Sequence, residues 1–438
     1  MDMSFQDIGV TLGHRVQGQG GVCHFAVDSR EVGSQTLFFA LAGEKTDGHH
    51  FLADVKVQGG CAAVVATSYC GPSYGLTLFP VPNVKEALHT LARAAYRKHS
   101  APVVAVTGTV GKTTVKEFIA TVLKERFRVA KTPGNANSQL GLPLFLLNDA
   151  GKAALYVLEM GMSFPGELTR LVSLAPPHIG VLTQVSLAHA ENFSSLEEIA
   201  AAKSELFQGP DLKRGIFCAQ TLNFAPVADL KCDKVVYSYA RGGGDYSGVR
   251  AASGIFVYER GIKSPLLPLK FNETHLIENV VGACAVARDF GLSWEEIARA
   301  TRALCPQRRR FEKVVLQGVL YINDSYNASP QAMLAALTHL PSARGKTIAV
   351  LGAMKGLGAF SEASHREVGK VAAAQVDCLF CLGEECIPLI DAFQQSGKPA
   401  YLVDELAVLR DQLSSVVCAG DVVLIKGSSS LKMWQLIE

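Results

Sequence analysis

The run Val103-Val-Ala-Val-Thr-Gly-Thr-Val-Gly-Lys-Thr-Thr-Val115 constrains this chain more than any other stretch of it. An apolar, β-branched segment leads into a turn carrying Gly108 and Gly111. Lys112, Thr113 and Thr114 open the next segment, in which Phe118, Ile119, Val122 and Leu123 recur at helical spacing. The pattern predicts a buried strand, a tight loop and a helix N-terminus. That unit belongs in a mostly parallel α/β sheet. A helix N-terminus offers free backbone N–H groups and a partial positive charge, so it binds phosphate. Gly108 and Gly111 let the backbone come close to the phosphate oxygens. Lys112 can reach the β- and γ-phosphates, and the Thr113 hydroxyl is placed for Mg²⁺. Only Thr109 and Val110 separate the two glycines, a shorter spacing than in the general loop of this kind. The loop points to a nucleoside triphosphate but does not say what its energy drives.

Bulk properties bound the possibilities. A chain of 438 residues holds about two to four domains with ample core. Hydrophobic residues make up 48% and charged residues 19%, which suits an ordered soluble enzyme. A net charge of +2 gives no electrostatic case for nucleic-acid binding. No apolar run approaches the ~20 residues of a membrane span. The N-terminus lacks the basic-then-apolar pattern of a signal peptide, so a cytoplasmic location is expected. Of the eleven cysteines, Cys378 and Cys381 form a CxxC inside an apolar, strand-like run. Residues three apart on a strand face opposite sides, so buried reduced thiols are expected rather than a zinc or redox site.

Three zones follow one another. Residues 1–82 carry short β-like pieces and end near Pro80 and Pro82. Residues 83–308 begin with a helical segment from Val84 to His99 and then alternate strands (103–107, 154–158, 179–183) with helices. Within this zone residues 237–272 read as a β insertion, after which helical periodicity resumes at His275. The cluster Gln307-Arg-Arg-Arg310 opens a second α/β unit, 309–438, of Rossmann-like pattern.

Four further features bear on chemistry. Glu159 closes the apolar run 154–158, placed for Mg²⁺ at the C-terminal tip of a strand; an exposed loop carboxylate is the alternative. His189 follows the run 179–183, and position alone leaves a structural role open. Ser195-Leu-Glu-Glu198 reads as a capping box starting a helix, with Lys203 on its apolar stripe. An inward lysine is desolvated, its pKa falls, and the neutral amine can take up CO₂ as a carbamate, a carboxylate-like metal ligand. The alternative is a lysine that snorkels to solvent. The amide- and glycine-rich stretch Lys131 to Pro143 reads as a loop near the phosphate site or as a plain turn.

Together these pieces resemble the Mur ligase superfamily, the ATP-dependent ligases that build the peptidoglycan peptide. The short loop TGTVGKTT, Glu159, His189, the AAAKSELF helix and HLIEN (His275 to Asn279) occur in the family's order. VDSREV, DGHHF, KTPGNANSQLGLP, NDSYNASPQAM, LGAMKGLGAFSEASHREVG and GDVVLIKGS extend the resemblance over nearly the whole chain and point to the member that adds a dipeptide. The resemblance implies a three-domain α/β architecture. An N-terminal α/β substrate domain (1–82) precedes a central P-loop, parallel-sheet mononucleotide-binding domain (83–308). A C-terminal Rossmann-like domain (309–438) binds the incoming dipeptide.

The resemblance also implies that ATP phosphorylates the terminal carboxylate of a UDP-linked muramoyl tripeptide, and that the amine of D-alanyl-D-alanine attacks the acyl phosphate. By resemblance, Lys112 binds the transferred phosphate, and Thr113 with Glu159 holds one Mg²⁺. His189 and carbamylated Lys203 help hold a second. The loop Gly108, Thr109, Val110, Gly111 with Thr114 cradles ATP. Asn279, Arg310, Asp324 and Asn327 contact the nucleotide, Ser29, Arg30 and Asp47 hold the UDP end, and Asn135 and Asn137 lie along the peptide. A monomer is expected. Asn323, Ser329, Ala332, Ala353, Gly356 and Ser429 depart from the family pattern. They lie in the C-terminal zone, so ATP binding is expected to be unaffected; neutral drift on loops is the favoured reading, with an altered dipeptide preference as the alternative. The alternatives are another ligase of the superfamily, adding the third residue or of folylpolyglutamate type, and an ATP-binding protein that has lost catalysis.

Overall fold

The computed structural model describes residues 2–14, 20–43, 46–149, 151–187 and 190–438. Three sheets dominate the described residues. Near the N-terminus, His24–Ala26, Thr36–Phe39, Ala62–Ala66 and Thr77–Val81 form a four-stranded parallel sheet in chain order. The helix Val84–His99 has the bounds the periodicity predicts. Its buried face, from Val84 through Leu88 and Leu91 to Tyr96, joins a core cluster shared by this sheet and the next.

In the central sheet Val103–Thr107 lies between Leu155–Glu159 and Ile179–Leu182, parallel to both. The chain fills one side of Val103–Thr107 with Val129–Lys131 and Leu155–Glu159, then crosses to the other for Ile179–Leu182, Arg214–Cys218 and Lys234–Ser238. Val103–Thr107 therefore sits at a switch point, where open α/β sheets bind ligands beyond their carboxyl ends. Its residues alternate between two cores: Val103 and Ala105 pack on one face, Val104 and Val106 on the other. Both faces are covered, as a continuous apolar run in a parallel sheet requires.

The stretch read as a β insertion is a continuation of this sheet. Tyr246–Ala251 pairs in parallel with Lys234–Ser238, and Gly254–Glu259 then adds antiparallel to it. Period-two alternation cannot distinguish a sheet edge from a separate lobe.

The third sheet runs Glu312–Leu316, Val319–Asn323, Val422–Lys426, Thr347–Gly352, Cys378–Leu382, Ala400–Val403, parallel except for its first pair. Cys378 and Cys381 are buried free thiols in different core clusters, on opposite faces of their strand. The arginine cluster joins parts of the chain. Arg308 and Arg309 pair with Glu438, while Arg310 reaches back to Thr113 in the central unit. No described helix is long and apolar enough to cross a membrane.

Candidate active site

The nucleotide loop is built as its sequence demands. Gly108 has φ +145°, and a Cβ there would lie 2.0 Å from Thr183 Oγ1, so only glycine fits. Gly111, at φ +87°, is the N-cap of the helix Lys112–Leu123. Among the described residues no side chain caps it, which leaves the first N–H groups free for an anion. The next strand braces the loop: Thr183 donates from Oγ1 to Val110 O at 2.6 Å, and Thr109 N donates to Gln184 O at 2.7 Å. Lys112 Nζ donates to Gly108 O (2.7 Å) and Thr109 O (3.0 Å). Desolvation lowers its pKa, Glu159 raises it and Arg310 lowers it again.

Glu159 is the last residue of its strand and is 1% exposed, which excludes an exposed loop carboxylate. Its Oε1 accepts from Asn137 Nδ2 at 2.7 Å, and its backbone N donates to Thr132 Oγ1 at 2.9 Å. Its Oε2 is buried without a hydrogen-bond partner among the described residues. A buried carboxylate oxygen with no hydrogen bond, 3.6 Å from Lys116 Nζ and beside a phosphate loop, fits a divalent cation. Among the described residues no three His, Cys, Asp or Glu side chains converge on a metal position. Mg²⁺ is commonly held by one or two carboxylates together with substrate phosphates.

A cavity of about 320 Å³ lies beyond this strand edge. The central unit lines it with Thr109, Val110, Gly111, Lys112, Thr113, Thr114, Asn135, Asn137, Glu159 and Asn279; Arg310, Asp324, Tyr326 and Asn327 form the opposite wall. The amide-rich loop is thus brought beside the phosphate loop. Arg310 Nη2 donates to Thr113 Oγ1 at 2.8 Å, and its guanidinium stacks 3.9 Å from the Tyr326 ring centre. Asp324 lines the cavity, but Lys426 Nζ (2.6 Å) and Phe311 N (3.0 Å) bond its two carboxylate oxygens.

Lys203 lies in the helix Leu196–Ser204 and is 4% exposed, so it does not snorkel. Desolvation first, and the charge of Lys112 second, push its pKa well below the usual lysine range. The capping box is half formed. Ser195 Oγ accepts from Glu198 N, whereas the Glu198 carboxylate takes Ser194 N at 2.8 Å. His189 lies outside the described residues. Ser29, Arg30 and Asp47 sit in the N-terminal unit, away from this cavity; Arg30 pairs with Asp28, and Asp47 accepts from His49 N.

Ser329 and Ala332 line the same cavity as the phosphate loop and the amide loop. The helix Pro330–Thr338 starts there and turns its first residues inward. Ala353 is fully buried, and Gly356 O accepts from Glu191 N at 3.2 Å. Asn323 Oδ1 accepts from Ser325 Oγ at 2.6 Å, holding the turn before Tyr326.

Sequence reasoning missed Tyr326, which stacks on Arg310, and three further residues. His275 lines the cavity with its Nδ1 buried and unbonded among the described residues. Lys426 locks Asp324. Lys116, fully buried one turn after Lys112, was detectable by the stripe argument applied to Lys203.

Residues 106–287 match the Mur ligase middle domain, and residues 309–429 match the glutamate ligase domain of Mur ligases. The chain is 32% identical to the UDP-N-acetylmuramoyl-tripeptide–D-alanyl-D-alanine ligase of Bacillus subtilis, covering 94% of this chain and 92% of that protein. Identity to the Synechocystis enzyme of the same name is 31%, over 95% and 91%. The MurF ligase of Thermotoga maritima, solved with ADP, superposes with a TM-score of 0.82 at 28% identity, covering 94% of this chain and 96% of that one.

Proposed function

The chain belongs to the Mur ligase family, and from that premise we propose that it uses ATP to join D-alanyl-D-alanine to UDP-N-acetylmuramoyl-tripeptide in peptidoglycan precursor synthesis. The observation that carries this reading is the single cavity in which the phosphate loop, Glu159 and the amide loop face Arg310 and Asn327 of the C-terminal unit.

Lys112 and the free N–H groups of its helix bind the β- and γ-phosphates of ATP, and Asn279 and Arg310 hold the rest of the nucleotide. Thr113 and Glu159 hold Mg²⁺, which supplies charge neutralisation and alignment when bound. His189 and Lys203, the latter as a carbamate, serve a second ion. Asn135 and Asn137 lie along the muramoyl peptide, while Ser29, Arg30 and Asp47 hold the UDP end. The tripeptide carboxylate attacks the γ-phosphorus and ADP leaves. The dipeptide amine then attacks the acyl carbon of the acyl phosphate, and collapse of the tetrahedral adduct gives the amide and phosphate. Positive charge around phosphoryl oxygens, with reactants aligned, is the main requirement of such a transfer. We place the reaction in the cytoplasm and assign it to a monomer. The domains are 1–82 for the UDP substrate, 83–308 for ATP and 309–438 for the dipeptide and closure.

The test is phosphate release from ATP with Mg²⁺, UDP-muramoyl tripeptide and D-alanyl-D-alanine, each omitted in turn, with the product identified by mass. Release that needs both substrates and yields the amide supports the proposal. Turnover with the muramoyl nucleotide but only with another acceptor would redirect the dipeptide assignment, and no turnover would favour another ligase or a lapsed one.

A further inference from the structure

We propose that Lys116 is a positioning residue that ties the nucleotide loop to the muramoyl-peptide loop and aims Glu159; the inference rests on the ligase reading above. Lys116 is fully buried, among Val115, Phe118 and Ile119 of the helix that begins at Lys112. An amine in such a place needs partners for its protons. Lys116 Nζ donates to Thr132 O at 2.7 Å and to Gly134 O at 3.0 Å. Its remaining neighbours are two carboxylates, Glu117 Oε1 at 3.4 Å and Glu159 Oε2 at 3.6 Å. Glu117 is shared in turn with Lys131.

These partners belong to three different elements. Thr132 and Gly134 open the amide loop that carries Asn135 and Asn137. Thr132 also accepts from Glu159 N through Oγ1, and Asn137 donates to Glu159 Oε1. The loop's far end is held separately: His89 Nε2 lies 2.6 Å from Gln139 O, and Gln139 Nε2 donates to Glu167 O at 2.8 Å. One ammonium therefore fixes the near end of the peptide loop, the direction of the Glu159 carboxylate and the first turns of the phosphate-binding helix. Lys116 does not line the cavity, so it acts through these groups.

The test compares wild type with Lys116→Met, which keeps the length but removes charge and donors, and with Thr132→Val, which removes only the hydroxyl that accepts from Glu159 N. Readouts are steady-state kinetics, the Kd of UDP-muramoyl tripeptide measured with a non-hydrolysable ATP analogue, and thermal melting. Loss of a group that orients a ligand-bearing residue typically costs about 10- to 100-fold. The expected result for Lys116→Met is a split effect: a fall of about tenfold or more in kcat, through a misaimed Glu159, and a rise in KM and Kd for the muramoyl nucleotide, through the loosened amide loop. Thr132→Val is expected to show the same split, smaller in size. If Lys116→Met does not fold, Lys116→Arg, which keeps the charge but changes the reach to Thr132 O and Gly134 O, carries the test with the same readouts. Activity loss that follows the melting temperature, with KM and Kd for the muramoyl nucleotide unchanged, would overturn the role of Lys116 and leave the ligase reading intact. A wild type that neither turns over nor binds the muramoyl nucleotide would overturn both.

Discussion

Single residues in this protein work because their solvent has been removed. Lys203 shows the point: an amine on the buried stripe of a helix, beside the charge of Lys112, is held toward its neutral form, the form that takes up CO₂. Lys203→Ala is expected to lose most activity with no recovery in bicarbonate, while wild type stripped of CO₂ recovers when bicarbonate returns; full activity of Lys203→Ala would remove the carbamate from the mechanism. His275 makes a pH-dependent claim. Burial lowers its pKa from 6.5 to about 4, with Asp324 and Glu273 opposing and His339 and Lys426 reinforcing the shift. A histidine depressed in the folded state adds stability above its unfolded pKa, and this is lost as pH falls from about 6.5 toward about 4. The contribution is about 3 kcal/mol at most. Urea unfolding at several pH values checks it: His275→Asn is expected to flatten the stability profile over that interval, and an unchanged slope would refute the assignment. Residues of this kind were partly legible. Lys112, Glu159 and Lys203 stand out because motif or periodicity marks them. Lys426 does not, because its partner Asp324 lies about a hundred residues away, and Tyr326 does not, because its stacking on Arg310 forms only when a loop brings the two together.

At the scale of elements, most pieces were legible because local pattern and tertiary burial agree. Val84–His99 and Ala62–Ala66 have the bounds their periodicity predicts, and Val103–Thr107 likewise. The strand of Glu159 runs one residue further than predicted, because its carboxylate is buried at the sheet edge. The 237–272 stretch shows its short β runs in sequence, but not that they extend the central sheet, because edge pairing leaves no mark in one strand's own sequence. Docking between elements was also hidden. The turn Gly358–Phe360 packs against Ala190–Asn192; Gly358 has φ +52°, and a Cβ there would come 2.9 Å from Glu191 Cα. An alanine at 358 meets backbone rather than a flexible side chain, in a conformation that costs about 1–3 kcal/mol. Gly358→Ala is expected to lower kcat about tenfold, with binding of an ATP analogue to the central unit little affected. Kinetics beside a binding titration decide the matter, and an unchanged kcat would show that this docking is not needed for turnover.

For the whole molecule, the order of three units was visible as changes in pattern, but their assembly was not. Arg310 reads as a boundary marker in sequence; in the fold its guanidinium closes the cavity by bonding Thr113. That Ser329 and Ala332 line the cavity shared with the phosphate loop was hidden, because nothing local shows where the helix Pro330–Thr338 packs. The central claim is that this shared cavity moves a phosphoryl group from ATP to the tripeptide carboxylate before the amide forms. The direct test uses UDP-muramoyl tripeptide whose terminal carboxylate carries ¹⁸O, with ATP, Mg²⁺ and D-alanyl-D-alanine. The account predicts inorganic phosphate bearing one ¹⁸O atom, formed in step with the amide. Phosphate free of label would mean that water, not the carboxylate, takes the phosphoryl group, and would contradict it.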